Sequence, residues 1–464
     1  MTASTMPTGA QTTPGEPIYR GIVRLGWPVF ISQLAIMANG LIDTVMAGRL
    51  SAQDLAAVGL GAAIYISVYI SIMGVLVALG PIAAHHFGAG KFHEIGEDVR
   101  QCLWLGMLLA GILITLLVFP APFIALAQPS AATEEKLRLY LLALACSAPA
   151  ALSFRAFTTF STSVSLPRMV MVLNLIGLAL KVPLNLVFMH GYLGAPALGG
   201  AGCAVATAVI SWACAAIAWW LVAKRPEYQR FCVFERWSWP DWHAIRQIAK
   251  LGVPMGISFA VDVTAFTFMS LFIARLGDHA SGAHQIAANL AAMVFMLPLG
   301  ISQATMVLTG QALGAGDHRR AQATGWAGLQ FGMGCALLVS LLLFLGHDWI
   351  AQFYSRDTSV VALASVLVWF VAAYHPVDAA QSIAAHILRA YKITVVPMLV
   401  YVIALWGFGL GGGYLLGLKF GMGTHGFWAA AIVSAAIAAI ALIWYFAWVA
   451  QRVADPPTGQ TAAP

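Results

Sequence analysis

The sequence predicts an all-helical integral membrane protein whose twelve transmembrane helices form two six-helix bundles around a central cleft. Three observations predict it. Of the 464 residues, 60% are hydrophobic and only 9% charged, too few polar groups to cover a soluble protein of this size. Apolar runs of about 20 residues or more, long enough for a hydrocarbon core of about 30 Å, recur along the whole chain. A pattern also repeats at a constant offset of 226 residues: Leu25, Gly26 and Pro28 return as Leu251, Gly252 and Pro254, Arg49 as Arg275, and Gly88 to Gly90 as Gly314 to Gly316. Six spans in each half give both halves one orientation, a parallel repeat about an axis along the membrane normal. The 44 glycines and 21 prolines scattered through apolar runs suit membrane helices, whose neighbours re-satisfy freed backbone groups, and argue against a strand-built barrel.

In chain order, residues 1–17 lack a basic start, an apolar middle and a cleavage site, so they read as a disordered tail rather than a secretory signal. The first lobe, 18–224, carries apolar spans at 22–48, 55–84, 101–122, 137–161, 168–190 and 196–223. A basic connector, 225–246, follows. The second lobe, 247–452, repeats the plan at 247–275, 282–312, 322–346, 362–388, 393–418 and 425–450, and 453–464 is a second tail. Two glycine-rich turns, GAGK at Gly88 and GAGD at Gly314, close the second and eighth spans. Neither follows a strand or matches a P-loop, so they read as tight turns, and without a Walker motif an ion gradient is the expected engine. Placing both termini in the cytoplasm puts sixteen Lys and Arg on that side against six opposite, which sets the expected orientation. The six cysteines show no CxxC spacing and read as packing residues.

Three acids, Asp43, Asp262 and Asp378, fall within span interiors. An ionised Asp there costs about 2.5 to 3.5 kcal/mol, so each needs a watery cavity, a cation, a proton or a structural hydrogen bond. Asp262 in the seventh span and Asp378 in the tenth reach a similar depth, and Tyr374 lies one turn before Asp378 on the same face. Two acids and a phenol there can hold sodium or share a proton. Gln285 and Asn289, four apart in the eighth span, either add oxygen ligands or serve packing. The position matching Asp262 in the first half is Ile36, so the halves have diverged chemically. In the fifth span, Lys181, Pro183 and Asn185 place a base, a helix breaker and an amide together. Lys181 pairs with Asp43, gates a first-lobe cavity or snorkels. Arg155 is unassigned, and His284, His375 and His386 read as satisfied polar residues more readily than as proton shuttles.

LIDTVMAGRLSAQDLAAVGLG at Leu41, ALGGAGCAVAT at Ala197, AHQIAANLAAMVFMLPLG at Ala283, and YHPVDAAQ with LRAYKITVVPM from Tyr374 to Met398 resemble the multidrug and toxic compound extrusion family, in its NorM-like branch. The resemblance covers nearly the whole chain. It implies a bacterial inner-membrane antiporter that expels organic, often cationic and aromatic compounds in exchange for sodium or protons. By motif position, Asp43 resembles the family's first-helix acid, Asp378 its tenth-helix acid and Tyr374 the neighbouring cation-site tyrosine. Asp262 stands where the family commonly has Glu. No cofactor, catalytic residue or nucleic acid is expected, no metal beyond sodium at Asp262, Tyr374 and Asp378, and a monomer is the expected state. Two alternatives are a flippase for lipid-linked saccharides, with Lys181 or Arg155 meeting a pyrophosphate, and an intramembrane aspartyl protease, whose YD and GxGD motifs are missing around Asp262 and Asp378.

Overall fold

The computed structural model describes residues 17–127, 129–194, 196–235 and 238–454. Most of both expected tails and Arg236 lie outside the described residues. Among the described residues, twelve helices are long and apolar enough to span a bilayer: α1 (Ile18–Leu50), α2 (Ala52–Gly88), α3 (Phe92–Val118), α4 (Ala131–Ser163), α5 (Pro167–His190), α6 (Ala201–Lys224), α7 (Trp242–Ala274), α8 (Asp278–Gly314), α9 (His318–Tyr354), α10 (Thr358–Ala390), α11 (Val395–Lys419) and α12 (Gly423–Val453).

The starts of α7, α9 and α10 lie several residues ahead of the apolar runs because polar caps set them. Asp241 accepts from the His243 N–H at 2.8 Å and begins α7. Asp317 accepts from Arg320 at the start of α9, and Asp357 from Ser359 and Val360 at the start of α10. Each carboxylate satisfies N–H groups that the first turn leaves without an intrahelical partner. The two expected turns are present, with Gly90 at φ 71° and Gly316 at φ 77°, where a side chain would be strained.

The connector is not a free linker. Tyr228 and Phe231 are buried in the first lobe's core, and Trp104 on α3 donates to the carbonyl of Ser238. Helix α11 departs from the regular pattern, being wound as a π-helix over Val402–Gly411 and Leu415–Lys419. Wide π turns free carbonyls and offset side chains, and they are frequent at functional sites. Here Trp406 of the π segment donates to the carbonyl of Val261, next to Asp262.

The lobes touch through α1 against α8 and α2 against α7. The closest approaches cluster at the end that carries the termini, and they obey the sequence repeat. A methyl group on Gly26 would meet the carbonyl of Gly300 at 3.4 Å, and one on Gly74, the repeat mate of Gly300, would meet the Cα of Gly256 at 2.7 Å. Still nearer that end, a methyl on Gly88 would lie 1.9 Å from the carbonyl oxygen of Gln311, and one on its mate Gly314 would lie 2.0 Å from that of His85. His85 and Gln311 are themselves mates. The Nε2–H of His85 donates across the interface to the carbonyl of Ala390 at 2.7 Å, and Gln311 donates back to the carbonyl of Ser163 at 2.8 Å and to Ser165 Oγ. The cleft is therefore latched shut at the terminal end by a pseudo-twofold pair of contacts. Away from it α1 becomes more exposed, with Ile36 and Leu41 uncovered.

Candidate functional site

In the second lobe α10 presents Asp378 and Tyr374 from one face, as a four-residue spacing requires. The Tyr374 hydroxyl donates to Asp378 Oδ1 at 3.3 Å, and Gln381 donates its amide to the same oxygen at 2.8 Å. Tyr374 is held by edge-on packing against Phe266 of α7 and Trp428 of α12. Gln381 Oε1 is buried with no protein donor. Asp378, the Tyr374 hydroxyl and this orphan carbonyl form a set of hard oxygen donors, which suits a small alkali cation, and the carboxylate suits a proton equally well.

Asp262 sits on α7, half-buried and within electrostatic reach of Asp378, Tyr374 and Tyr401. It makes no hydrogen bond or ion pair among the described residues. The fold thus brings Asp262, Tyr374 and Asp378 to one region, with Gln381 and Tyr401 as members that sequence reading missed. A glutamine one turn beyond an intramembrane acid, in VDAAQ, was the signal available for Gln381.

A third missed residue changes the electrostatics. Arg389, three turns beyond Asp378, is buried in α10 with its guanidinium 4.8 Å from the centre of the Phe259 ring. It donates to His386 Nε2 at 3.2 Å, and its charge is felt at Asp262. No carboxylate touches it among the described residues. Arg155 of α4 lies opposite, within electrostatic reach of His386 and Tyr69, with its Nε buried and unpartnered.

In the first lobe the open question about Lys181 has a geometric answer. Lys181 Nζ lies 2.9 Å from Asp43 Oδ2, and Asn185, one turn on, donates to Asp43 Oδ1 at 2.8 Å. Lys181 also donates to Thr207 Oγ1 and to the carbonyl of Cys203, and it is 1% exposed. It pairs rather than snorkels. Asp43 is thereby paired inside its own lobe, whereas no basic side chain among the described residues contacts Asp262 or Asp378. Gln285 and Asn289 are exposed and bonded to each other at 3.4 Å, not to the acids. His284 meets Ser270 through Nε2 at 2.8 Å. His375 is buried with Nε2 unpartnered. An apolar cavity behind Tyr374, lined by Phe266, Met269, Leu405 and Phe427, includes neither acid.

Because Lys181 is buried, removing its partner should be costly. Asp43→Asn strands an ammonium group and should lower stability by about 3–5 kcal/mol. Thermal unfolding in detergent checks this: Asp43→Asn should melt well below wild type, and adding Lys181→Met should recover most of the loss. Equal melting of wild type and Asp43→Asn would show that the pair is not structural.

The MatE family model matches residues 28–187 and 254–415, one block in each lobe. The chain is 39% identical to a probable multidrug resistance protein NorM of Aromatoleum aromaticum over 92% of this chain and 93% of that one. It is 37% identical to the namesake of Neisseria meningitidis serogroup B over the same shares. Among solved structures, the MATE transporter NorM-NG in complex with a monobody superposes with a TM-score of 0.80 at 33% identity, covering 95% of this chain and 96% of that one. The Vibrio cholerae MATE transporter VcmN in its bent form, 18% identical with a TM-score of 0.84 over 94% and 98% of the two chains, shares the fold. With twelve spans, a duplicated architecture and a family match in both halves, this chain belongs to the MATE family of membrane carriers.

Proposed function

We propose that this carrier exports organic, often cationic and aromatic, drugs in exchange for sodium ions or protons by alternating access. The observation that carries the reading is the Asp262, Tyr374, Asp378 and Gln381 cluster, set in a cleft latched at one end by repeat-related contacts. The relatives named as multidrug resistance proteins support it. Two similar lobes, 18–224 and 247–452, rock about the latch, with 225–246 as their connector and tails at 1–17 and 453–464. The excess of basic residues at the terminal end argues for both termini in the cytoplasm of a bacterial inner membrane, so this conformation faces outward. The working unit is a monomer, since each lobe carries its own acids.

The placement of the acids extends the proposal to stoichiometry. Lys181 engages Asp43, which leaves the region of Asp262, Tyr374 and Asp378 as the one place for an incoming ion. One sodium ion or proton per cycle occupies it. Exchange against a monovalent cationic drug then moves no net charge, although the membrane potential is worth about 2.3 kcal/mol per charge per 100 mV. Reconstituted vesicles with sodium and pH gradients imposed separately test both points. Drug efflux should follow one of the two gradients, and clamping the potential between zero and about 100 mV should change the limiting drug gradient by less than twofold, against roughly fortyfold if a second ion moved. Efflux indifferent to both ion gradients would overturn the antiport reading.

The saccharide flippase is disfavoured by one contact: Lys181, a base it would need for a pyrophosphate, is already engaged by Asp43. Protection of cells against dyes, without loss of envelope-precursor translocation on deletion, separates the two.

A further inference from the structure

On the face that carries the termini, far from the acids of the cleft, His93, Cys232 and Glu235 converge. One ligand atom from each, an imidazole nitrogen, the thiol sulfur and a carboxylate oxygen, lies within 4.8 Å of the others. His93 belongs to the first turn of α3, while Cys232 and Glu235 belong to the connector. Two separate segments therefore meet at these three side chains.

We propose that these residues form a binding site for a borderline divalent transition cation, zinc being the best match, which staples the lobe connector to α3. The donor set selects the ion class. Imidazole, thiolate and carboxylate together suit zinc, whereas magnesium and calcium seek oxygen alone. Tetrahedral zinc with bonds of about 2.0–2.3 Å holds its ligands about 3.3–3.8 Å apart, so a closure of about 1 Å by exposed side chains completes the site. Three protein ligands leave the fourth position to water.

The backbone beneath the site is already fixed, so binding orders little. Arg100 Nη1 on α3 donates to the carbonyls of Cys232 at 2.9 Å and Val233 at 2.8 Å, and Arg100 is anchored in turn by Glu97 at 2.6 Å. Gly96 makes room for the connector, since a methyl group there would lie 2.0 Å from the carbonyl oxygen of Phe231. The guanidinium of Arg230 packs over Phe87, Phe92 and Phe231 at 5.3, 5.1 and 4.8 Å. Cys232 itself is held at φ 55°, a left-handed conformation that few non-glycine residues adopt and that turns its side chain back towards α3. Preorganisation of this kind lowers the cost of ordering the ligands when an ion binds.

The test uses the full-length chain purified in detergent, stripped with a chelator and titrated with Co²⁺ as the spectroscopic probe and then with Zn²⁺. One equivalent of Co²⁺ should give a thiolate-to-cobalt charge-transfer band that Zn²⁺ abolishes and excess Mg²⁺ does not. Cys232→Ser should remove the band, and His93→Ala and Glu235→Gln should each weaken binding by at least about tenfold. Zn²⁺ should raise the melting temperature of wild type and not of Cys232→Ser. Cys146→Ser, altering the exposed thiol of α4, should bind as wild type. The absence of a stoichiometric band would overturn the proposal, as would a band that persists in Cys232→Ser or unaltered affinity in both His93→Ala and Glu235→Gln.

Discussion

Asp378→Asn should nearly abolish ion-coupled efflux while leaving drug binding measurable. The substitution keeps the shape of the side chain and an oxygen for the Tyr374 and Gln381 donors, so the helix face should stay packed. It removes the charge that makes the site prefer an occupied state. An ion shifts two conformations only through its different affinity for each, and coupling of this kind is typically worth about 1–3 kcal/mol, or 5–150-fold. By reciprocity, adding sodium or lowering pH should displace bound drug from wild type and do so at least about tenfold less effectively in Asp378→Asn. Tyr374→Phe should fall between them, because it removes one oxygen donor and no charge. The measurement is equilibrium binding of a fluorescent drug to purified protein across sodium and pH titrations. Identical ion-dependent release from Asp378→Asn and wild type would move the coupling site elsewhere, with Asp43 next in line.

That prediction was available from the sequence because it depends on one span and a four-residue spacing. Helix periodicity puts Tyr374 beside Asp378 whatever the rest of the chain does, and the 226-residue repeat exposes the two lobes directly. The residues that escaped notice depend on packing between helices that no local pattern encodes. Arg389 stands one residue beyond the apolar run 362–388, yet the helix continues through it and Phe259 of another helix covers it. The choice for Lys181 between gate, snorkel and ion pair turned on whether α1 and α5 face each other at that depth. The π winding of α11 is likewise invisible to hydropathy, which counts apolar residues and not their turn width.

The second large effect should come from Gly314→Val. A side chain there runs into the backbone of His85, which cannot rotate aside as a flexible side chain could. Overpacking of this kind costs about 1–3 kcal/mol, and only in the conformation in which the lobes meet at the terminal end. The population should move by about 5–150-fold towards the conformation open at that end. Ala84, buried at the interface, is a suitable reporter: Ala84→Cys should resist a soluble thiol reagent in the wild-type background and react readily alongside Gly314→Val. Transport should fall at least about tenfold, since a carrier held on one side does not cycle. Gly88→Val, at the matching position, should behave alike. Unchanged labelling and transport in both variants would show that these glycines do not set the conformation.

Two of the cross-lobe hydrogen bonds, those from His85 and Gln311, end on main-chain carbonyls, of Ala390 and Ser163. Every residue carries such an oxygen, so the acceptors are immune to mutation and only positions 85 and 311 are under selection for the bond. Genetic suppression should therefore be lopsided. Defects at Asp43 can be relieved by a compensating change at Lys181, because both partners are side chains. Revertants of His85 variants should arise only as true back-mutations, as replacements with another donor at the same position, or as distant changes that alter the balance between the two conformations.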